Sequence, residues 1–417
     1  MLYSIQNLKG REILDSRGTP TIEVDCLLDG GIVGRASVPS GASTGSHEAI
    51  ELRDGEMRYF GMGVEKAIHN VDVEINEELS GKEWTQKSLD DALIHIDGTN
   101  EKSRLGANAM LAVSLAFAKS VAIADRKPFF QYISDISNIG RPPSLPTPMM
   151  NVINGGLHAP GGTDIQEYML VTHGFKSFKE KLRAGAETYR SLKDILRERG
   201  ERTLVGDEGG FSPSVSRNED IFTLLVESMR RADYREGEQI SIAIDVAASE
   251  FYEDGKYELR KDGVSLSSSE LAVVYKDWTS RFPLMSIEDG LAEDDWDGWV
   301  DHAKLLGEKT LLVGDDLFVT NAGRIKEGIG RGVANAVLIK PNQIGTLTET
   351  IEAVQTAYSG NYKVIISHRS GETEDTAIAH LAVGLGTEYI KAGAPARGER
   401  TTKYNELLRI EQEFENK

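Results

Sequence analysis

A single cysteine, Cys26, excludes an internal disulfide framework. It lies in the alternating segment "TIEVDCLLDG", which predicts a packed strand thiol rather than a nucleophile. Long apolar runs are also missing. The longest, "ANAMLAVSLAFA", is followed at once by Lys119 and is expected to form a buried helix rather than a membrane span. The opening "MLYSIQNLKGREILDSRG" is charged early and has no signal-peptide core, so a cytoplasmic address is expected. Cations are outnumbered, with 47 Lys and Arg against 66 Asp and Glu, a net charge of −19. That balance disfavours nucleic acid and anionic membrane as partners. It also means that an anionic substrate must be held by metal ions or a few placed cations. The Gly-rich stretch Phe60-Gly61-Met62-Gly63 follows no strand pattern and lacks a third glycine, so it is not a dinucleotide fingerprint. No phosphate-binding P-loop is present. Proline is sparse, yet Pro142, Pro143, Pro146 and Pro148 crowd into "GRPPSLPTP". Proline cannot donate to helix or sheet, so this segment predicts a boundary between an N-terminal α+β domain over 1–135 and a larger domain over 143–417.

What is present is rhythm. Near the N-terminus, "PTIEVDCLL" and "IVGRASVP" flank Asp29-Gly30-Gly31, a hairpin signal, and a helical pattern is read from Glu48 to about Lys127. Beyond the prolines, short apolar runs end in polar residues: "NVIN", "DIQEYMLV", "ISIAID" at Asp245, "LMSIED" at Glu288, "LLVGDD" at Asp315, "AVLIK" at Lys340, "VIISHRS" at His368 and "EYIK" at Lys391. Steps of 27, 25, 28 and 23 residues separate Glu288, Asp315, Lys340, His368 and Lys391, enough for one strand, one helix and two short loops each. Pro148 and Lys391 lie 243 residues apart, close to the ~250 of a (β/α)₈ barrel. Only a Gly-rich loop joins the first two strands, so the barrel is expected to begin with a hairpin. Helices at about 177–200 and 218–233 would follow, with capping boxes at Ser216-x-x-Glu219 and Ser267-x-x-Glu270.

In such a barrel the strand C-termini share one mouth, where active sites sit. Three successive strands there end in carboxylates and the next three in cations. Asp245, Glu288 and Asp315 pressed together would repel one another, and a hard divalent cation removes that repulsion. Oxygen donors without Cys or His make Mg²⁺ the first choice and Mn²⁺ the second. Asp289 and Asp316, next door, leave the ligand register open by one position. Lys340 beside a dication is expected to have a lowered pKa and to act as a base, and removal of a proton next to a carboxylate is the reaction that most needs both parts. Glu208, in "TLVGDEGGFSP", is a loop acid that could protonate a leaving hydroxide. Gln166 and Glu167 lie near the second strand, and His158 lies in "NGGLHAPGG". Arg369, in "SHRSGETEDT" beside His368 and Ser370, suits bidentate capture of phosphate or carboxylate.

The segments "SVPSGASTGSHEA", "KSRLGANAMLAVSLA", "GDEGGFSP", "SIEDGLAEDDW", "GDDLFVTN", "LIKPNQIGT", "SHRSGETEDT" and "IKAGAPARGERTTKYNELLRIE", in this order over nearly the whole chain, resemble the enolases, the glycolytic phosphopyruvate hydratases. The resemblance implies a modified (β/α)₈ TIM barrel beginning ββαα behind a smaller N-terminal α+β domain. It implies a lyase that reversibly dehydrates 2-phosphoglycerate to phosphoenolpyruvate. Asp245, Glu288 and Asp315 would bind one Mg²⁺; a second Mg²⁺ would arrive with substrate, held by its phosphate and by Ser43. Lys340 would be the base, Glu208 the acid supported by Glu167, and His158 would complete the pocket. Gln166, His368, Arg369, Ser370 and Lys391 would bind substrate. A homodimer or octamer is implied, and a moonlighting partner is not legible. The rivals are another superfamily member, such as a sugar-acid dehydratase, racemase or cycloisomerase, and a catalytically silent binding protein on the same fold.

Overall fold

The structure, a computed structural model, describes residues 2–41, 45–159 and 161–415. Three antiparallel strands, β1 (Tyr3–Leu14), β2 (Pro20–Leu28) and β3 (Ile32–Ser37), with the short β4 (Glu83–Trp84) beyond β1, form the N-terminal sheet in the order β3-β2-β1-β4. The β2–β3 hairpin turns at Asp29-Gly30-Gly31, where both glycines take positive φ, which the turn requires. The sheet packs on the helix Ala107–Ala124, which approaches β3 closely at Gly34: a Cβ there would lie 2.3 Å from the Ser120 nitrogen. This helix is long and apolar enough to cross a membrane by length and composition, but 83% of it is buried inside the protein, which identifies it as a core helix. Cys26 packs beneath it, and burial pushes its thiol up to about 12. The helical pattern read from Glu48 starts later than expected. Residues 48–57 carry no helix, and the helical run proper begins at Glu65. Asp54 explains the start, since its carboxylate accepts from the Glu65 and Lys66 N–H groups.

The rest is a closed eight-stranded barrel: β5 (Thr147–Asn154), β6 (Glu167–Val171), β7 (Ser241–Asp245), β8 (Leu284–Glu288), β9 (Leu311–Gly314), β10 (Ala336–Ile339), β11 (Lys363–Ser367) and β12 (Tyr389–Lys391). These strands are almost wholly buried, as strands covered on both faces must be. Met149, Met169, Val171, Val313, Leu338 and Ile365 fill the interior in a cluster of their own. β6 runs antiparallel to both its neighbours, and every other pairing is parallel. The helices Phe178–Glu198 and Asp220–Arg231 then follow, so the ββαα opening stands. The Ser267 capping box forms. The Ser216 box does not: the second helix starts beyond it, and the Asp220 carboxylate accepts from the Ser216 and Arg217 N–H groups instead. A three-stranded sheet spanning 252–266, not visible as a strand pattern in the sequence, fills the long gap between β7 and β8.

The two domains meet at the barrel mouth. Ser40 and Gly371 exchange backbone hydrogen bonds of 2.8 and 2.9 Å, Ser16 N donates to Glu372 O at 2.7 Å, and Ala49 N donates to Gln343 O at 2.9 Å. These bonds hold both flanks of the 42–44 segment against the mouth.

Candidate active site

The antiparallel β6 decides what reaches the mouth. Parallel strands deliver their last residues there. β6 delivers its first, so Glu167 pairs in register with Asp245 on one side and Asn154 on the other. Asp245 is in turn level with Glu288. A cleft of about 410 Å³ is lined by His158, Gln166, Glu167, Glu208, Asp245, Asp289, Asp315, Asp316, Lys340, His368, Arg369, Ser370 and Lys391. All the residues singled out from the sequence therefore line it except two. Glu288 lies behind the wall, wholly buried, and Ser43 is outside the described residues.

The acids and cations form two nests. In the first, Lys391 Nζ sits 2.9 Å from Glu288 Oε1 and 3.1 Å from both Asp245 Oδ2 and Glu167 Oε2, and Lys340 pairs with Asp315. Burial pushes Lys391 down, but Asp245, Glu167 and Glu288 hold it well above the ordinary lysine range. Burial likewise pushes Lys340 down, and Asp315 more than restores it, so among the chain's own groups its pKa is raised. The lowering expected beside a dication does not arise from the chain's own groups, where the carboxylate partner outweighs the burial. Asp315 is held low despite burial by that same ammonium, and Gln343 Nε2 donates to its other oxygen at 3.0 Å.

Burial, then neighbouring acids, raise Glu288 and Asp289 well above the carboxylate range and push Asp316 up to about 8. Asp289 adopts a positive φ of 41°, strained for a non-glycine residue, and accepts from the N–H groups of Asp315 (2.9 Å) and Asp316 (2.8 Å). Oxygens of Asp289, Asp315 and Asp316 come within 4.8 Å of one another. Glu288 Oε2 is buried without a hydrogen-bond partner. An unpartnered carboxylate oxygen amid acids that mutually raise their pKa values fits a hard divalent ion. Asp289, Asp315 and Asp316 thus form one such grouping, whereas Asp245 and Glu288 share Lys391.

In the second nest, Glu208 Oε2 accepts from Asn151 Nδ2 at 2.8 Å and lies 3.8 Å from His158 Nδ1 and 3.7 Å from His368 Nε2. Burial, then Glu208, raise Glu167 well above its ordinary value. Burial would raise Glu208 too, but His158, His368, Arg400 and Lys391 bring it well below. Burial and mutual repulsion thus raise one acid of this close pair, while the surrounding cations lower the other. Gly209 and Gly210 permit this packing: a Cβ on Gly210 would fall 2.3 Å from Asn154 Oδ1, and Gly209 turns at φ +86°. Arg369 is bound by Glu48 at 3.0 and 3.1 Å, and Gln166 Nε2 reaches Asp245 at 3.5 Å. Asn151, Gln343 and Glu48 were missed. Their signal lies in "NVIN", "LIKPNQIGT" and "SVPSGASTGSHEA", where a neighbouring residue draws the reading instead.

The raised acids give a pH prediction. Between the ordinary carboxylate range and their folded pKa values, Glu288, Asp289 and Asp316 hold protons that the unfolded chain has lost. Their contribution to stability is present at low pH and is lost as pH rises through those values. A divalent ion displaces these protons, so Mg²⁺ should raise the melting temperature more at about pH 8.5 than at about pH 6, by about 3 °C at a hundredfold excess over Kd at the higher pH. Thermal melts with and without Mg²⁺ at both pH values check this, and equal gains would contradict it.

A closed barrel with an antiparallel second strand, an acid-rich mouth and two lysines paired with its acids defines a class of enzyme barrels that collect oxygen donors and cations around a small cleft. Residues 142–417 match the family described as "Enolase, C-terminal TIM barrel domain", and residues 5–133 match "Enolase, N-terminal domain". Two relatives, each called "Enolase 2", come from Pseudomonas syringae pv. syringae (strain B728a) and Pseudomonas syringae pv. tomato (strain ATCC BAA-871 / DC3000). Each is 52% identical over 417 residues, covering 99% of this chain and 97% of the relative. The chain belongs to the enolase family.

Proposed function

We propose that the protein reversibly dehydrates 2-phospho-D-glycerate to phosphoenolpyruvate, the glycolytic reaction of phosphopyruvate hydratase. The carrying observation is the barrel order. Lys340 follows β10 and Glu167 opens β6, four strands apart whichever way the ring is counted; Glu208 lies within 4.8 Å of Glu167, so the base and the acid pair stand on opposite sides of the cleft. That placement suits removal of a proton from one face of a substrate and loss of a hydroxyl from the other.

Substrate enters with its phosphate towards Arg369 and Ser370 and its carboxylate towards the acid-and-lysine nest. Asp245, Glu288 and Asp315 would hold one Mg²⁺, and Ser43 with the substrate phosphate would hold a second. When bound, these ions supply positive charge to the substrate carboxylate, where negative charge builds as the C2 proton leaves. The Lys340 amine, once Asp315 is engaged elsewhere, takes that proton. Lys391 donates to the substrate carboxylate. Glu208, supplied by Glu167, gives a proton to the C3 hydroxyl, which departs as water while the C2–C3 double bond forms. His158 and His368 close the pocket around Glu208, and Gln166 orients the substrate from β6. The family points to a cytoplasmic homodimer or octamer. The Glu208–Glu167 pair and the lysine together favour this reading over a racemase or a silent scaffold, neither of which needs an acid for a leaving hydroxide.

Purified protein mixed with 2-phosphoglycerate and Mg²⁺ should show rising ultraviolet absorbance as the double bond forms in conjugation with the carboxylate. A flat trace would overturn the assignment.

A further inference from the structure

Arg400, in the C-terminal helix Gly398–Glu415, is wholly buried, and such a charge normally faces a carboxylate. This one spends its guanidinium otherwise. Nη1 donates to Arg369 O at 2.6 Å and reaches His368 Nδ1 at 2.7 Å. Nη2 donates to Asp207 O at 3.0 Å and Ser370 O at 2.5 Å. Among the described residues its one ion-pair contact is made by Nε, 3.4 Å from Glu399. The three carbonyls belong to two loops, the one carrying Glu208 and the one carrying His368 to Ser370. Backbone has been cleared for the side chain: Gly393 turns at φ +80°, and a Cβ there would lie 2.8 Å from Arg400 Cδ and 2.9 Å from Glu208 O.

A guanidinium has donors only and stays charged. His368 Nδ1 must therefore accept, and the ring must carry its proton on Nε2. Nε2 is the nitrogen that faces Glu208 Oε2 at 3.7 Å, and it has no hydrogen-bond partner among the described residues. We propose that Arg400 is a positioning residue that fixes His368 as an Nε2–H donor aimed at Glu208 and locks the two loops in register for the dehydration half of the reaction. The inference rests on Glu208 being the acid. The donor favours the carboxylate that Glu208 becomes after giving up its proton, and the clamp keeps that carboxylate from turning away. Arg400 is buried and does not line the cleft, so it acts through His368 and the loop carbonyls.

The test combines nitrogen-15 NMR of labelled histidine, with the His368 signal assigned by its loss in His368→Gln, and kinetics on Arg400→Met and Arg400→Lys. In the unsubstituted protein at neutral pH, His368 should be protonated on Nε2 and bare on Nδ1. Arg400→Met should mix the tautomers and slow dehydration about 10- to 100-fold while leaving C2 proton exchange nearly unchanged. Arg400→Lys, which keeps one donor for Nδ1, should restore the tautomer and part of the rate. A proton on Nδ1 in the unsubstituted protein overturns the proposal even if Arg400→Met fails to fold. An unmixed Nε2 tautomer in Arg400→Met, or exchange and dehydration falling together, also overturns it. Absence of any turnover in the unsubstituted protein would instead reject the reaction, and the tautomer measurement still tests the clamp.

Discussion

Lys340→Ala should abolish exchange of the C2 proton of 2-phosphoglycerate with solvent and lower turnover by about 10³- to 10⁴-fold. The side chain is half-buried at the end of β10 with Asp315 as its partner, and among the described residues no second amine stands at that strand end. Lys391, the buried lysine of the cleft, is held by Glu167, Asp245 and Glu288. The same variant separates chemistry from ion binding. On the proposed reading Lys340 would compete with a dication for Asp315, so removing it should leave Mg²⁺-induced thermal stabilisation at least as large as before. Solvent-deuterium exchange followed by proton NMR, beside melts with Mg²⁺, reads both effects. Exchange at the ordinary rate would remove Lys340 from the role of base.

Glu208→Gln should give the complementary result. The carboxamide keeps the shape and can still accept from Asn151 Nδ2, but it has no acidic proton to give. Dehydration should fall by about 10²- to 10⁴-fold while C2 exchange continues, because the base and the acids of the opposite nest are untouched. Quenched-flow assays of phosphoenolpyruvate, run beside the exchange measurement, check the split. Equal loss of both activities would mean that Glu208 acts before proton abstraction rather than after it.

The sequence carried much of this arrangement for a definable reason. Parallel barrel strands are buried on both faces, so each reads as an apolar run stopped by the residue it delivers to the mouth. Asp245, Glu288, Asp315, Lys340, His368 and Lys391 were legible in that way. Glu167 was less so, because an antiparallel strand presents its first residue and not its last. The one-position ambiguity at the acids has a structural counterpart: Glu288 contacts Lys391 at 2.9 Å, while its neighbour Asp289 lines the cleft and binds two backbone N–H groups. What stayed hidden acts between distant segments. Asn151 meets Glu208 across 57 residues and Arg400 meets Asp207 across 193, and no local pattern encodes either contact. The late start of helix after Glu48 was hidden likewise, since that stretch is shaped by its contacts with the barrel, such as Glu48 with Arg369.

The central claim is that oxygen donors at the ends of β7, β8 and β9 hold a divalent ion beside an amine able to take a proton from carbon. Crystals of the protein soaked with Mn²⁺ and 2-phosphoglycerate, measured at the manganese absorption edge, test it most directly. The account predicts an anomalous peak within bonding distance of Asp245, Glu288 and Asp315, with Lys340 Nζ released from Asp315 and set against substrate C2. A peak elsewhere, or Lys340 still paired with Asp315 and remote from C2, would contradict it.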